Sequence, residues 1–183
     1  MKHAELDALL RADAAAMELL RAVAEAGPSG AYIGAGFLRN RVWDSFYKDG
    51  RAIPEADIDV IYFSAENDSA EADYAYEAKL TAYLPGYDWQ VRNQARMHHF
   101  HGYEPFTSLE DGLRHWAETA TTVSVRLQKG ELDFIAPFGF DDLMQQILRI
   151  TPTMKARDPE GFQARLDKKG WRRRWPNLKI ISD

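Results

Sequence analysis

The chain has no cysteine. That excludes disulfides, thiolate zinc sites and a cysteine nucleophile, and it fits a reducing compartment. No apolar run approaches the ~20 residues a membrane helix requires. The first residues are charged and amphipathic rather than the apolar core of a signal peptide. Together these absences set the expectation of a cytoplasmic protein with no membrane partner. There is no excess of positive charge either. The formal net charge is −5, so a general nucleic-acid coat is not expected, although one local basic face is compatible with it. No internal repeat or low-complexity tract interrupts the chain. At 183 residues it is long enough to bury roughly 70% of its unfolded surface, so one domain, or one domain with a small appendage, needs no covalent staples.

What is present concentrates between Tyr32 and Phe63. Tyr32-Ile33-Gly34-Ala35-Gly36 reads as a short buried strand that breaks at glycines into a helix over Phe37 to Lys48. A polar loop through Pro54 then leads to Asp57-Ile58-Asp59-Val60-Ile61-Tyr62-Phe63, an apolar strand with carboxylates at its start. Residues two apart on a strand share a face, roughly 6.5–7 Å along it. Asp57 and Asp59 are therefore a pair, with Ile58 and Val60 pointing the other way. Like charges about 4 Å apart repel by about 4 kcal/mol at an effective dielectric of about 20. A proton, a basic partner or a cation relieves this. Magnesium suits the pair, because one or two carboxylates plus substrate phosphates commonly hold it. Gly34 and Gly36 let the backbone approach a ligand, and the helix start behind them offers N–H groups to an anion. Arg39, Asn40 and Arg41 fall in the first turn or so. Cations there oppose the helix dipole, so a phosphate or a carboxylate partner explains them better than helix stability does. A phosphate cradle beside a carboxylate pair points to phosphoryl or nucleotidyl transfer.

The rest of the chain reads mostly as scaffold. Lys2 to Ala26 has the apolar spacing of one amphipathic helix. Trp43 and Phe46 are expected in the core. Ala70 to Leu84 is a helix, capped by Asp68 or Ser69, with Glu71, Asp73 and Glu77 on a solvated face. Trp89 to Asn93 is a strand of the same sheet. His98, His99 and His101 crowd together, but adjacent side chains cannot all converge on one ion. Ser108 opens a capping box before a helix over Leu109 to Glu118. Thr121 to Leu127 and Leu132 to Ala136 form a hairpin, on which Arg126 and Asp133 face as a cross-strand ion pair. Asp141 and Asp142 suit the start of a helix running to Ile150. Beyond Lys155 the chain turns basic, with Trp171 and Trp175 among Lys168, Lys169 and Arg172 to Arg174. Such aromatics either dock on the core or stack on a nucleic acid. The organisation expected is a 1–150 core with its N-terminal helix and a 151–183 extension packed on it.

The order of strand, small-residue turn, helix and Asp-x-Asp strand resembles the nucleotidyltransferase superfamily that includes DNA polymerase β. Tyr32 to Asp44, Asp59 to Phe63, Asn93 to His98, Trp116 to Ala120 and Ala136 to Gly139 resemble, more closely, a bacterial nucleotidyltransferase-like family. The resemblance implies an α/β fold, a small mixed β-sheet flanked by helices. It implies magnesium-dependent transfer of a nucleoside monophosphate from an NTP such as ATP to a hydroxyl on a small molecule, a protein or an RNA end. Asp57 and Asp59 would hold one or two magnesium ions. Gly34, Ala35, Gly36, Arg39 and Asn40 would seat the triphosphate, and Asn93, Arg96 and His98 would line the pocket. In two places the chain departs from the pattern. The usual Gly-Ser is Gly34-Ala35-Gly36, which lacks the serine hydroxyl. The superfamily's third carboxylate is missing from Trp89 to Asn93, leaving Asp88 before that strand or Asp133 on a later one. Those departures favour the alternative, a catalytically impaired nucleotide- or nucleic-acid-binding module of the same fold. A partner-binding protein is a third class.

Overall fold

The structure is a computed structural model that describes residues 2–53, 57–67 and 69–183. Pro54 of the polar loop and Asp68, one of the two cap candidates, lie outside the described residues. The elements in order are α1 (Lys2–Ala12), α2 (Ala14–Ala26), β1 (Tyr32–Ile33), α3 (Gly36–Ser45), β2 (Asp57–Tyr62), α4 (Ala70–Tyr83) and β3 (Asp88–Asn93). After a 3-10 segment (Gln94–Phe100) come α5 (Leu109–Leu113), a 3-10 turn (Thr119–Thr122), β4 (Ser124–Gln128), β5 (Glu131–Ile135), α6 (Asp141–Met144) and β6 (Ile147–Arg149). The chain closes with α7 (Pro152–Arg157), α8 (Pro159–Lys169), α9 (Trp171–Arg174) and β7 (Lys179–Ile181). None of the helices is long and apolar enough to cross a membrane among the described residues.

Five strands form one mixed sheet in the order β3-β2-β1-β4-β5. β2 and β3 are parallel, whereas β1 runs antiparallel to both β2 and β4. Register sorts the side chains by face. Ile33 sits opposite Val60 and Val125, and Val60 opposite Val91. Ile33, Val60, Val91 and Val125 are each 0% exposed and pack under Leu10, Leu19, Leu20 and Leu80 of α1, α2 and α4. The opposite face carries Tyr32, Ile61, Leu109, Leu113 and Trp116 as a smaller apolar cluster. Asp57 and Asp59 are on this second face, being in phase with Ile61.

Several elements differ from expectation. The N-terminal helix is two, because Asp13 leaves helical dihedrals (φ −98°, ψ 99°) and its side chain accepts a hydrogen bond from Ala16 N at 3.0 Å. An apolar stripe continues across such a break, so periodicity alone does not show it. Ser69 caps α4, accepting from Glu71 N. Asp73, expected to be solvated, is 1% exposed and accepts from Tyr62 Oη at 2.7 Å and from Arg96. Glu77 likewise turns inward, accepting from Val91 N at 3.0 Å. Phe46 is on the surface, not in the core. The helix expected up to Ile150 stops after Met144. Gln146 takes φ +56° and Ile147–Arg149 become a strand, because β7 arrives from the far end of the chain to pair with them in parallel.

The C-terminal tryptophans are docked. Trp175 is 0% exposed and meets Trp43 edge to face at 4.9 Å. Its Nε1 donates to Asp44 Oδ1 at 2.8 Å, the carboxylate that Arg174 also clasps at 3.1 and 2.6 Å.

Candidate functional site

β1 lasts only two residues before the glycine turn. Gly34 N donates to Asp59 O at 3.0 Å, tying the turn to the carboxylate strand. A Cβ on Gly34 would lie 2.9 Å from Ser124 Oγ and 3.2 Å from Trp116, so this position needs glycine for space. Ala35 then adopts φ 52°, ψ −118° and starts α3 with no side-chain cap. A non-glycine residue at positive φ carries strain of order 1–3 kcal/mol, so the turn is held there by its surroundings. Phe37 N, one of the first N–H groups of α3, donates back to Gly34 O at 3.2 Å, and the rest of the first turn has no acceptor within the helix itself.

Ahead of the helix lies a cavity of about 900 Å³. Ala35, Gly36, Arg39, Asn40, Asp57 and Asp59 all line it. Asp57 is exposed and Asp59 half-buried. Burial, and next the charge of Asp57, push the Asp59 carboxyl above its usual range, against the pull of Arg92, Arg39 and Lys169. Among the described residues no arginine or lysine forms an ion pair with either carboxylate. A pair of oxygen donors that repel each other and lack a basic partner is what a hard cation stabilises. The donor set therefore fits magnesium completed by substrate phosphates. It does not supply a full protein cage: among the described residues no group of three His, Asp or Glu side chains is arranged to hold a metal ion.

The remaining sequence candidates stand elsewhere. Asp133 is held by Tyr32 Oη at 2.7 Å and Arg126 Nε at 2.8 Å. Burial raises its pKa, but those hydrogen bonds outweigh it and keep the carboxyl below its usual range. It is also on β5, three strands from β2 in the sheet, or about 14 Å at the usual strand spacing. The cross-strand ion pair is thus what the structure forms, and Asp133 does not reach Asp57 and Asp59. Asp88 is paired in register with Asp57 on the neighbouring strand, and its side chain accepts from Gln90 at 3.0 Å; it does not line the cavity. Asn93 is 0% exposed and spends its amide on Ser64, Asn67 and Ala95 backbone groups. Arg96 is paired with buried Asp73. Both belong to the scaffold behind the sheet. His98 bonds Ala95 O at 2.8 Å and is not at the cavity. Arg41 donates to Asp13 Oδ2 at 2.9 Å and Phe37 O at 3.0 Å.

Sequence reasoning overlooked much of the far wall. Tyr103, Phe106, His115 and Trp116 line it, with Tyr103, Phe106 and His115 in mutual ring contact. Glu118, 1% exposed, accepts from Arg165 and from Thr121 Oγ1 at 3.0 Å. The C-terminal segment supplies Arg157, Asp158, Arg165, Lys169, Trp171 and Arg174. The signals for this wall were the Trp116 to Ala120 stretch within the resemblance and the basic, tryptophan-bearing tail, which supplies Lys169, Trp171 and Arg174. Spacing could not show that residues so far along the chain return to β2.

The fold and site are of nucleotidyltransferase type: a small mixed sheet with a glycine turn and an Asp-x-Asp strand at one cavity. The profile of the family described as nucleotidyltransferase matches residues 21–180, and the chain belongs to that family. Among solved structures, one whose description is an NMR structure revealing a CCA-adding enzyme head domain aligns with TM-score 0.82 and 29% identity, over 96% of this chain and 94% of that one. A CCA-adding enzyme in complex with CTP aligns at TM-score 0.60 and 16% identity, over 96% of this chain and 43% of that one. The Thermotoga maritima CCA-adding enzyme complexed with tRNA aligns at 0.61 and 16%, over 96% and 42%. The chain spans less than half the length of those two enzymes, and at that identity they show the fold alone. No curated protein matches its sequence significantly.

Proposed function

We propose that the chain is a magnesium-dependent nucleotidyltransferase that moves a nucleoside monophosphate from an NTP to a hydroxyl acceptor. The observation that carries this is the shared cavity: Asp57 and Asp59 border the same space as Gly36, Arg39 and Asn40. The glycine turn and the start of α3 would receive the triphosphate, with Arg39 adding a fixed positive charge. The acceptor oxygen would attack the α-phosphorus while the bond to pyrophosphate breaks. Magnesium on Asp57 and Asp59 would supply neutralisation of the charge on the reacting phosphate. Arg157 and Lys169 on the C-terminal wall, for which no ion pair forms among the described residues, favour a polyanionic acceptor, such as an RNA end, over a neutral small molecule or a protein side chain. The likeness to a CCA-adding enzyme head domain supports the same choice.

The second reading, a binding module with impaired catalysis, is favoured by the commitment of Asp133 to Arg126 and Tyr32. A thermal melt separates the two. Catalytic binding predicts that ATP or CTP raises the midpoint only with magnesium, and that Asp59→Asn abolishes the rise. At a ligand concentration 100-fold above Kd the stabilisation is about 2.7 kcal/mol. A rise of equal size without magnesium, retained in Asp59→Asn, would replace the transferase with the binding module.

A further inference from the structure

Arg39 is 8% exposed, yet no carboxylate bridges it among the described residues. Its Nε and Nη2 donate to Asn40 Oδ1 at 3.2 and 3.0 Å, and Nη1 meets no acceptor among the described residues. Around the guanidinium stand three indoles. The rings of Trp171, Trp175 and Trp43 lie with centroids 5.0, 5.4 and 6.0 Å from Cζ. Two of them come from the C-terminal segment. Burial lowers the Arg39 pKa to about 10 while Glu118 and Asp59 raise it and Arg165 and Arg174 lower it. The group therefore stays charged at neutral pH.

This is an unusual way to keep a cation out of water. A carboxylate partner would have consumed the hydrogen-bonding edge of the guanidinium and cancelled its charge. Aromatic rings do neither. They lie against the cation through their electron-rich faces. The Nε–Nη2 side is held by Asn40 Oδ1, which leaves the Nη1–Nη2 end of the fork to grip phosphate. The edge is also near the right place. A Cβ added to Gly36, the first residue of α3, would sit 3.4 Å from Arg39 Nη2.

We propose that Trp171 is a positioning residue for a polyphosphate: it holds Arg39 against the glycine turn without neutralising it, so that the C-terminal segment completes an anion site begun by α3. The ligand class is a di- or triphosphate tail. The proposal rests on the reading that the cavity takes an NTP.

The test uses the full chain and inorganic tripolyphosphate, with binding followed by calorimetry and by indole fluorescence. Trp171→Phe should keep affinity within about threefold, whereas Trp171→Leu, which stays apolar but has no π face, should lose about tenfold or more. Wild-type affinity in a folded Trp171→Leu would overturn the proposal and leave the NTP reading standing. Should that variant fail to fold, Arg39→Lys keeps the charge but not the stacked fork. Affinity and the fluorescence response should then fall together, and retention of both would overturn the proposal. If the wild type binds neither tripolyphosphate nor ATP, with or without magnesium, the NTP reading itself fails and the positioning role goes with it.

Discussion

Burial and the adjacent charge of Asp57 push Asp59 above its ordinary value of 3.8, and Arg92, Arg39 and Lys169 only partly offset them. Below that value the carboxyl is neutral whether the chain is folded or not. As pH rises through the raised folded value, the native state must accept a charge that the unfolded chain carries more easily, so Asp59 subtracts from stability at neutral pH. Asp59→Asn should therefore melt higher than the wild type at pH 7.5 in the absence of metal. The difference should shrink towards pH 4. Calorimetry at both pH values, with and without magnesium, checks this. A variant that melts lower at pH 7.5 would mean that Asp59 is held by partners rather than poised for a cation. Functional residues that cost stability are a common compromise, and here the cost falls on the residue that the sequence pattern also marks.

Between elements, a buried polar tie is at Asp73, which joins α4 to β2 and β3. It accepts from Tyr62 Oη at 2.7 Å, from Asn93 N at 3.3 Å and from Arg96, itself largely buried with its Nε lacking a partner. Asp73→Ala would strand a guanidinium and a phenol in the interior. Urea unfolding should show a loss of about 3–5 kcal/mol, the usual result of deleting one side of a buried pair. A loss below about 1 kcal/mol would place Asp73 among ordinary surface residues. The same residue shows how far the sequence could be read. The helix itself was legible from its spacing, but the three acids of α4 look alike as text. What distinguishes Asp73 is contact with Tyr62 and Arg96, which only the packed sheet supplies. Asp13 teaches the same lesson at a helix end: the apolar stripe runs through it, and the break comes from a cap that also meets Arg41. The strand, glycine turn and Asp-x-Asp strand were legible because a two-residue period and a run of small residues are local facts, whereas the positive φ of that turn falls on Ala35, which no local signal marks. The conversion of Ile147–Arg149 from helix to strand was not, because its cause is β7.

At the scale of the molecule, the division into a 1–150 core and a 151–183 extension is best regarded as a proposal about packing, and it has a sharp consequence. The extension provides β7, the partner of β6, together with Phe162 at 1% exposure and Trp175 at 0%. It also brings Arg165 to the buried carboxylate of Glu118 and Arg174 to Asp44. A chain ending at residue 150 would leave Trp43 open on one side, β6 unpaired and the buried Glu118 without Arg165. Each of these is worth a few kcal/mol, and typical domains hold only about 5–15 in reserve. The truncated chain should therefore lose cooperative unfolding by near-ultraviolet circular dichroism while keeping helical signal in the far ultraviolet. A truncated chain that still melts sharply within a few degrees of the full one would make the extension a true appendage. It would also free the cavity of the cations it is proposed to need, so tripolyphosphate binding by that fragment would be the direct measure of whether the core alone can seat a phosphate.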